Sequence, residues 1–306
     1  MKIAFIIPCH NEEAGIGEVV GSAKMLFPAS DVYVCDNCSS DRTCQAARDA
    51  GAHVVLETRK GKGYAVRTLM RDISADVYVM VDGDNTYDLT HLPQALSQFV
   101  SNQYDLMTGN RMQYNALGTS AFRSGHRAGN KFFSFMFKTL FGAQSNDAFS
   151  GLRIMSYRLV KSFPAISSEF EIETELTVYA ARMGLPSGEF PTFVKERQGS
   201  ESKLNSMRDG LKILLFTARL LHREFPLRLY AVASLVLLGM GITTIIPIYN
   251  QYLVTGIVLR LPSLVFGLSL LVLSALAIVA GLVLKEISNL KYEARYLAYL
   301  SAQCPP

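Results

Sequence analysis

The chain has 306 residues and a formal net charge of +4, and only 18% of its residues are charged, where about a quarter is usual for a soluble protein. The deficit is local: Leu229 to Leu259 and Leu261 to Leu284 contain no Asp, Glu, Lys, Arg or His, which argues against a wholly soluble protein. Of the five cysteines, Cys35 and Cys38 have metal-like spacing but no second pair, so reduced cytosolic thiols are expected rather than zinc or disulfides.

Lys2 to Ile7 predicts a buried first strand, followed by the polar loop Pro8 to Glu13. The run is too short for the apolar core of a signal peptide, so none is expected. Ile16 to Phe27 has helical periodicity. Asp31 to Cys35 predicts a second strand, ending in the polar stretch Asp36 to Asp41, with Asp41 placed to cap a helix reaching Ala50. His53 to Leu56 is a short third strand. Gly61-Lys62-Gly63 then leads into a helix ending at Asp72. A strand over Val77 to Val81, a helix from Leu92 to Val100 and a strand near Asp105 to Thr108 follow. Strands alternating with helices imply a mostly parallel sheet covered on both faces.

The strand at 77–81 stops abruptly at Asp82-Gly83-Asp84. Its turn lies at the strand's carboxyl end, the edge where open α/β sheets bind ligands. Two hard carboxylates one residue apart suit Mg²⁺ or Mn²⁺, which reach a protein through one or two carboxylates plus substrate phosphates. The expected ligand is a divalent cation holding a diphosphate. Such a pair alone is more often a polar turn. Here Pro8–Glu13, Asp36–Asp41 and Asp82–Asp88 each follow a strand and so converge on one edge. No glycine-rich fingerprint follows the first strand and there is no Walker sequence, which excludes a dinucleotide or P-loop site. Gly61 and Gly63 would let backbone approach a nucleotide and bring Lys62 near a phosphate, or they simply shape a turn.

Pro8-x-x-Asn11-Glu12-Glu13, Asp36-Asn-x-Ser-Ser-Asp41, Gly61-Lys-Gly63, Asp82-x-Asp84, Gly109-Asn-Arg111 and Asp147-Ala-Phe-Ser-Gly-Leu-Arg153 occur in that order. Over residues 3–225 the chain resembles the inverting family-two glycosyltransferases of the GT-A fold. Within them it is similar to the dolichol-phosphate mannose synthases and the bacterial polyprenyl-phosphate glycosyltransferases. The resemblance implies a Rossmann-like α/β catalytic domain over residues 1–226. It implies a nucleoside diphosphate sugar held by Pro8, His10, Asn11, Glu12, Asp36, Lys62, Asp82, Gly83, Arg197, Ser202 and Lys203, with Mg²⁺ or Mn²⁺ at Asp82, Asp84 and Thr86. Thr86 stands where relatives often carry a Gln, and its part, direct or through water, is left open. Asp147 matches an Asp proposed as base in relatives; with Asp84, Arg111 and Arg197 it completes the expected catalytic set. Phe193 to Lys203 resembles a loop that closes over the diphosphate, and such a lid excludes water. Glu171 and Glu175 share a face of a helix beginning near Phe170; they hold basic residues or sugar hydroxyls, or form a solvated acidic first turn.

Residues 118–141 and 207–223 predict amphipathic helices. Arg123, Arg127 and Lys131 fall at i, i+4 and i+8, among Phe132, Phe133, Phe135, Phe137 and Phe141. Arg208, Lys212, Arg219 and Arg223 share a face of the second helix. A basic, aromatic helix of this kind lies in the headgroup plane, although a helix packed on the sheet has the same pattern. Beside a membrane, Arg111, Arg123, Arg127 and Lys131 are placed for a lipid-borne acceptor phosphate.

Residues 227–306 are read as a membrane domain with spans near 229–251 and 262–284 and a short tail. Arg219, His222, Arg223 and Arg228 precede the first span, Lys285, Lys291 and Arg295 follow the second, and only Arg260 lies between. The positive-inside rule puts both flanks, and the catalytic domain, in the cytoplasm. The resemblance implies an integral protein of a bacterial inner membrane, compatible with a homo-oligomer, and no nucleic-acid partner is expected.

The implied reaction moves one sugar from a UDP-hexose or UDP-N-acetylhexosamine to a polyprenyl phosphate. A GDP-mannose-dependent mannose synthase and a catalytically inactive membrane scaffold are the alternatives. The chain has no tryptophan, so it lacks the Gln-x-x-Arg-Trp motif of processive synthases.

Overall fold

The computed structural model describes residues 1–111, 124–169, 171–195 and 206–302, with side chains described except at 124–128 and 206–213. Among these residues the strands are β1 (Ile3–Cys9), β2 (Asp31–Asp36), β3 (His53–Leu56), β4 (Val77–Met80), β5 (Leu106–Asn110), β6 (Arg153–Ser156) and β7 (Ser187–Pro191). The helices are α1 (Ile16–Leu26), α2 (Thr43–Asp49), α3 (Lys62–Asp72), α4 (Leu92–Ser101), α5 (Ser124–Phe141), α6 (Tyr157–Ser162), α7 (Ile172–Met183), α8 (Ser206–Glu224), α9 (Pro226–Thr255) and α10 (Leu261–Ser301).

The strands form one sheet in the order β3-β2-β1-β4-β6-β5-β7. β1 pairs in parallel with β2 and β4, β2 with β3, and β5 with β7. β6 runs antiparallel to both β4 and β5, which it separates. A buried parallel strand is apolar on both faces. Accordingly Ala4, Phe5, Ile6 and Ile7 in β1 and every residue of β4 are buried. Each large side chain of this kind contributes roughly 1.5–3 kcal/mol when withdrawn from water. The first five predicted strands and the helices between them are present. Asp41 does not occupy the cap position of α2, which falls on Arg42, but its carboxylate accepts from the Thr43 N–H at 3.0 Å and does a cap's work from one residue earlier.

The chain divides into two compact units: residues Met1–Ile213 with Arg295–Pro306, and Leu214–Ala294. The composition shift near 226 is therefore not where the packing changes. In the first unit the described end of α10 rejoins the sheet domain. There Tyr299 Oη donates to Asp105 Oδ2 at 2.8 Å and its ring lies under the Arg158 guanidinium, while Arg295 lies over Tyr179. The tail expected after residue 284 continues α10 as helix to Ser301.

The second unit holds the latter half of α8 and an antiparallel pair of apolar helices, α9 and α10. Ser234, Gly241 and Ile248 of α9 and Gly267, Ser274, Gly281 and Ser288 of α10 are buried at a spacing of seven, and Pro226 and Leu270 are buried beside them. The Ser234 and Ser274 hydroxyls each donate to the other residue's backbone carbonyl at 2.9 Å, and added methyls at Gly241 or Gly267 would strike Leu271 or Ile245. Small residues at a seven-residue period let two helix backbones approach. The larger apolar side chains, among them Leu235, Val265, Leu276 and Val283, face outward. Only 17% and 22% of the most apolar windows are buried, which is unlike the core helices of a soluble domain. Both helices are long and apolar enough to cross a membrane.

Candidate active site

The loops after β1, β2, β3 and β4 meet at the carboxyl edge of the sheet, and hydrogen bonds knit the first three together. Asn11 holds a left-handed φ of 55° and its Oδ1 accepts from the Ser40 N–H at 2.8 Å. The Asn11 N–H donates to Ser39 Oγ and the Glu12 N–H to Thr43 Oγ1, at 2.9 and 2.8 Å. His10 Nδ1 donates to the Asn37 carbonyl at 2.8 Å. Asn37 is the hub: its N–H reaches the Cys9 carbonyl, its Nδ2 the Arg59 carbonyl, and its Oδ1 accepts from the Gly61 N–H at 2.6 Å. Beside it Asp36 is buried, and its Oδ1 accepts no hydrogen bond among the described residues. Pro8 is buried in β1.

The acidic turn follows β4. Asp84 Oδ1 accepts from the Thr86 N–H at 3.1 Å and from Thr86 Oγ1 at 2.6 Å, so Thr86 fixes the carboxylate's rotamer. Asn85, at φ 54°, donates to Glu18 on α1 and ties the turn down. Gly83 lies against Cys9 Sγ. Asp82 Oδ1 receives the Lys62 ammonium at 2.5 Å, and Lys62 also pairs with Glu173 on α7. Burial alone would lower the Lys62 pKa, but Asp82 and Glu173 outweigh it and hold the ammonium above its ordinary range. Among the described residues no third His, Cys, Asp or Glu joins Asp82 and Asp84. Two carboxylates and a hydroxyl on one turn, one carboxylate already holding a cation, fit a hard divalent ion completed by phosphates.

The glycines of the Gly61-Lys-Gly63 loop lie against protein backbone: Gly61 has φ +139°, and a Cβ there would lie 2.2 Å from the Ser168 carbonyl oxygen. The Gly63 N–H donates to the same carbonyl at 3.0 Å. Glu175 secures this contact by accepting from the backbone of Ile166 and Ser167 and from Ser167 Oγ. Glu173, between the two glutamates singled out from the sequence, is therefore the one aimed at the acidic turn. The helical phase at the start of α7 decides this.

A buried ion pair completes the site. Arg111, just beyond β5, gives Nε and Nη2 to Asp147 at 2.7 Å each, and its backbone N–H adds a third bond at 3.1 Å. Asn130 on α5 donates to Asp147 Oδ1 at 3.0 Å. Asp147 is fully buried; burial pushes its pKa up, but Arg111 and these hydrogen bonds prevail and hold it below the usual carboxylate range. Arg153 braces the same loop, giving its side-chain N–H groups to the carbonyls of Ala148 and Ser150 and to Thr177 Oγ1. Burial lowers its pKa to about 10. On β7, Glu189 accepts from Asn110 Nδ2 and Ser145 Oγ at 2.8 and 2.9 Å.

The two carboxylate regions are contiguous. A Cβ on Gly151 would lie 2.3 Å from Asp82 Oδ2, so only glycine lets that loop reach the acidic turn. The Gly151 N–H donates to Tyr87 Oη at 2.7 Å, and the Arg111 guanidinium sits 6.0 Å over the Tyr87 ring. From Asp82 the contacts thus run through Gly151, Tyr87 and Arg111 to Asp147 and on to α5. Lys131 is exposed on α5 beside the exposed Phe132 and Phe135, whereas Phe137 and Phe141 face inward. Arg127 lies in α5 with its side chain outside the described residues; Arg123, Arg197, Ser202 and Lys203 also lie outside them. The chain approaching residue 196 is placed: the Lys195 N–H donates to the Thr86 carbonyl at 2.7 Å, and Tyr87 bridges Val194. Glu173, Asn130 and Glu189 were not predicted, since isolated polar residues carry no periodic signal, and Asn37 and Arg153 stood inside quoted motifs without a role assigned to them.

Comparison with known proteins agrees with this arrangement. The chain is 29% identical to glycosyltransferase AglJ of Haloferax volcanii over 283 residues, 90% of this chain and 92% of that protein. It is 29% identical over 211 residues to the dolichyl-phosphate hexose transferase of the same organism, covering 69% and 90%. Among solved structures, glucosyl-3-phosphoglycerate synthase from Mycobacterium tuberculosis, crystallised with Mn²⁺ and UDP-glucose, superposes with a TM-score of 0.54 at 22% identity. That match covers 72% of this chain and 78% of the other, and it shows a shared GT-A fold. The Glycosyl transferase family 2 domain matches residues 4–163, just over half of the sequence. With its mostly parallel sheet, its acidic turn and this match, the chain belongs to glycosyl transferase family 2.

Proposed function

We propose that the protein transfers a single sugar, with inversion, from a nucleoside diphosphate sugar to a polyprenyl phosphate at the cytoplasmic face of a membrane. The observation that carries this reading is the contiguity of Asp82 with the Arg111–Asp147 pair through Gly151 and Tyr87. A donor diphosphate at the first is then next to an acceptor phosphate at the second. The paired apolar helices, and a relative named for a dolichyl-phosphate substrate, support a lipid acceptor.

In this reading the loops around Pro8, His10, Asn11 and Glu12 cradle the nucleoside, and the buried Asp36 Oδ1 accepts from the nucleobase. Uracil is favoured, in line with the UDP-glucose held by the neighbour of like fold. Asp82, Asp84 and Thr86 would hold Mg²⁺ or Mn²⁺, which supplies charge neutralisation to the departing diphosphate. The Lys195 N–H is bonded to the Thr86 carbonyl, and Arg197, Ser202 and Lys203, which follow it in the sequence, are assigned in this reading to the donor diphosphate. Arg111, with Arg123, Arg127 and Lys131, orients the lipid phosphate. That acceptor has a second pKa near 6 and arrives largely ionised, so little proton remains for a base to remove. Asp147 accordingly orients Arg111 and the acceptor rather than deprotonating it: a carboxylate clamped on both oxygens is a poor base.

The test is transfer of radiolabelled sugar into a lipid extract, across UDP- and GDP-sugars with short polyprenyl phosphates. Label in a mild-acid-labile lipid is expected. Label released only as free sugar, or only in water-soluble products, would overturn the acceptor assignment.

A further inference from the structure

Lys62 is the first residue of α3, and its side chain turns into the site instead of toward solvent. Its ammonium is 2.5 Å from Asp82 Oδ1 and also pairs with Glu173. The Lys62, Asp82 and Glu173 side chains are 11%, 26% and 4% exposed. The lysine thus has two anionic partners of different kinds. Asp82 is on the turn where a cation and a diphosphate would gather. Glu173 is enclosed by the protein, and its Oε2 is buried without a hydrogen-bond partner among the described residues.

An ammonium and a divalent cation on one carboxylate repel each other, and partial burial weakens the screening that would relieve this. We propose that Lys62 is the resident counter-cation of Asp82 before nucleotide binds, and that Glu173 is a positioning residue that retains the lysine when it leaves Asp82. The proposal rests on the acidic turn being a diphosphate site. A metal ion alone must displace the ammonium and so binds weakly. A diphosphate gives Lys62 a new anionic partner and frees Asp82. Nucleotide and cation then favour each other's binding by the same factor, as linkage requires. Glu173 keeps the displaced ammonium within reach of the phosphates.

The experiment measures Mn²⁺ affinity of the full chain in detergent, with and without UDP or GDP, by electron paramagnetic resonance of free Mn²⁺. Lys62→Met is expected to bind Mn²⁺ alone about tenfold tighter than wild type, and its enhancement by nucleotide should shrink by a similar factor. Glu173→Gln is expected to bind Mn²⁺ alone about tenfold more weakly, the scale of a lost supporting partner. The double variant Lys62→Met/Glu173→Gln removes one charge of each sign and leaves the net charge of the pocket unchanged. It is expected to follow Lys62→Met, since the non-additivity of a double-mutant cycle separates direct occupancy from field effects. Wild-type affinity and full nucleotide enhancement in the double variant would overturn the proposal while leaving the diphosphate site standing. A wild-type protein whose Mn²⁺ binding ignores both nucleotides and the Asp82→Ala substitution would overturn the site reading together with it.

Discussion

The two carboxylate regions of the site are built in opposite ways. At the acidic turn, Asp82 is partly exposed and held by a flexible lysine, and Asp84 is held by the hydroxyl of its own loop. Asp147 is fully buried and gripped by a guanidinium, a backbone N–H and an amide. A lysine on a four-carbon stem exchanges partners at low cost, whereas a planar guanidinium bonded through two N–H groups does not. The first region is suited to trade one cation for another. The second is suited to keep its geometry while substrates come and go.

The sharpest way to break this contrast is to remove each carboxylate in turn. Asp84→Ala should lower transfer by about three orders of magnitude, the scale of losing a preorganised charge-stabilising group. Asp147→Asn should retain measurable transfer in the lipid-extract assay; equal and complete loss in two folded variants would erase the distinction. Stability should respond in the reverse order. Breaking a buried pair by neutralising one partner costs about 3 kcal/mol, so Asp147→Asn should lower the melting temperature, while Asp84→Ala should hardly move it.

Acid titration sharpens the same point. The folded pKa of Asp147 is depressed, with burial opposing and Arg111 prevailing. The stability from that pair is therefore fully present above the ordinary carboxylate value near 4 and is lost as pH falls from there through the depressed folded value. The melting-temperature gap between wild type and Asp147→Asn should be constant from pH 5 to 7 and begin to close below about 4. Above that pH no acid limb of the transfer rate should be assignable to Asp147. The smallest expected effect is at Thr86: Thr86→Val removes the hydroxyl that fixes Asp84 and should weaken Mn²⁺ binding about tenfold.

What the sequence disclosed, and what it withheld, follows from the range of each interaction. Strand-then-loop punctuation is local, so β1 to β5 and the converging polar clusters were legible, and so was the acidic turn. The insertion of β6 between β4 and β5 was not, because pairing Val79 with Ile154, 74 positions lying between them, leaves no trace in either segment. The glutamates of α7 show how fine the limit is. Glu171, Glu173 and Glu175 are alternate residues at a helix start, and a small difference in helical phase decides which one reaches Lys62. Gly61 and Gly63 were rightly singled out as places of close approach, but composition cannot say that the visitor is the Ser167–Ser168 backbone.

The bond from Tyr299 to Asp105 has a consequence for biogenesis. The sheet domain occupies the front of the chain, yet one of its side-chain contacts is supplied by the last described turns of α10, synthesised after both apolar helices. During translation the enzyme's head can assemble early, but its surface around Asp105, Arg158 and Tyr179 stays uncovered until the hairpin has been made. A fragment cut before α9 for ease of purification would carry that uncovered surface permanently. Restoring residues 295–302 as a separate peptide would be the direct remedy.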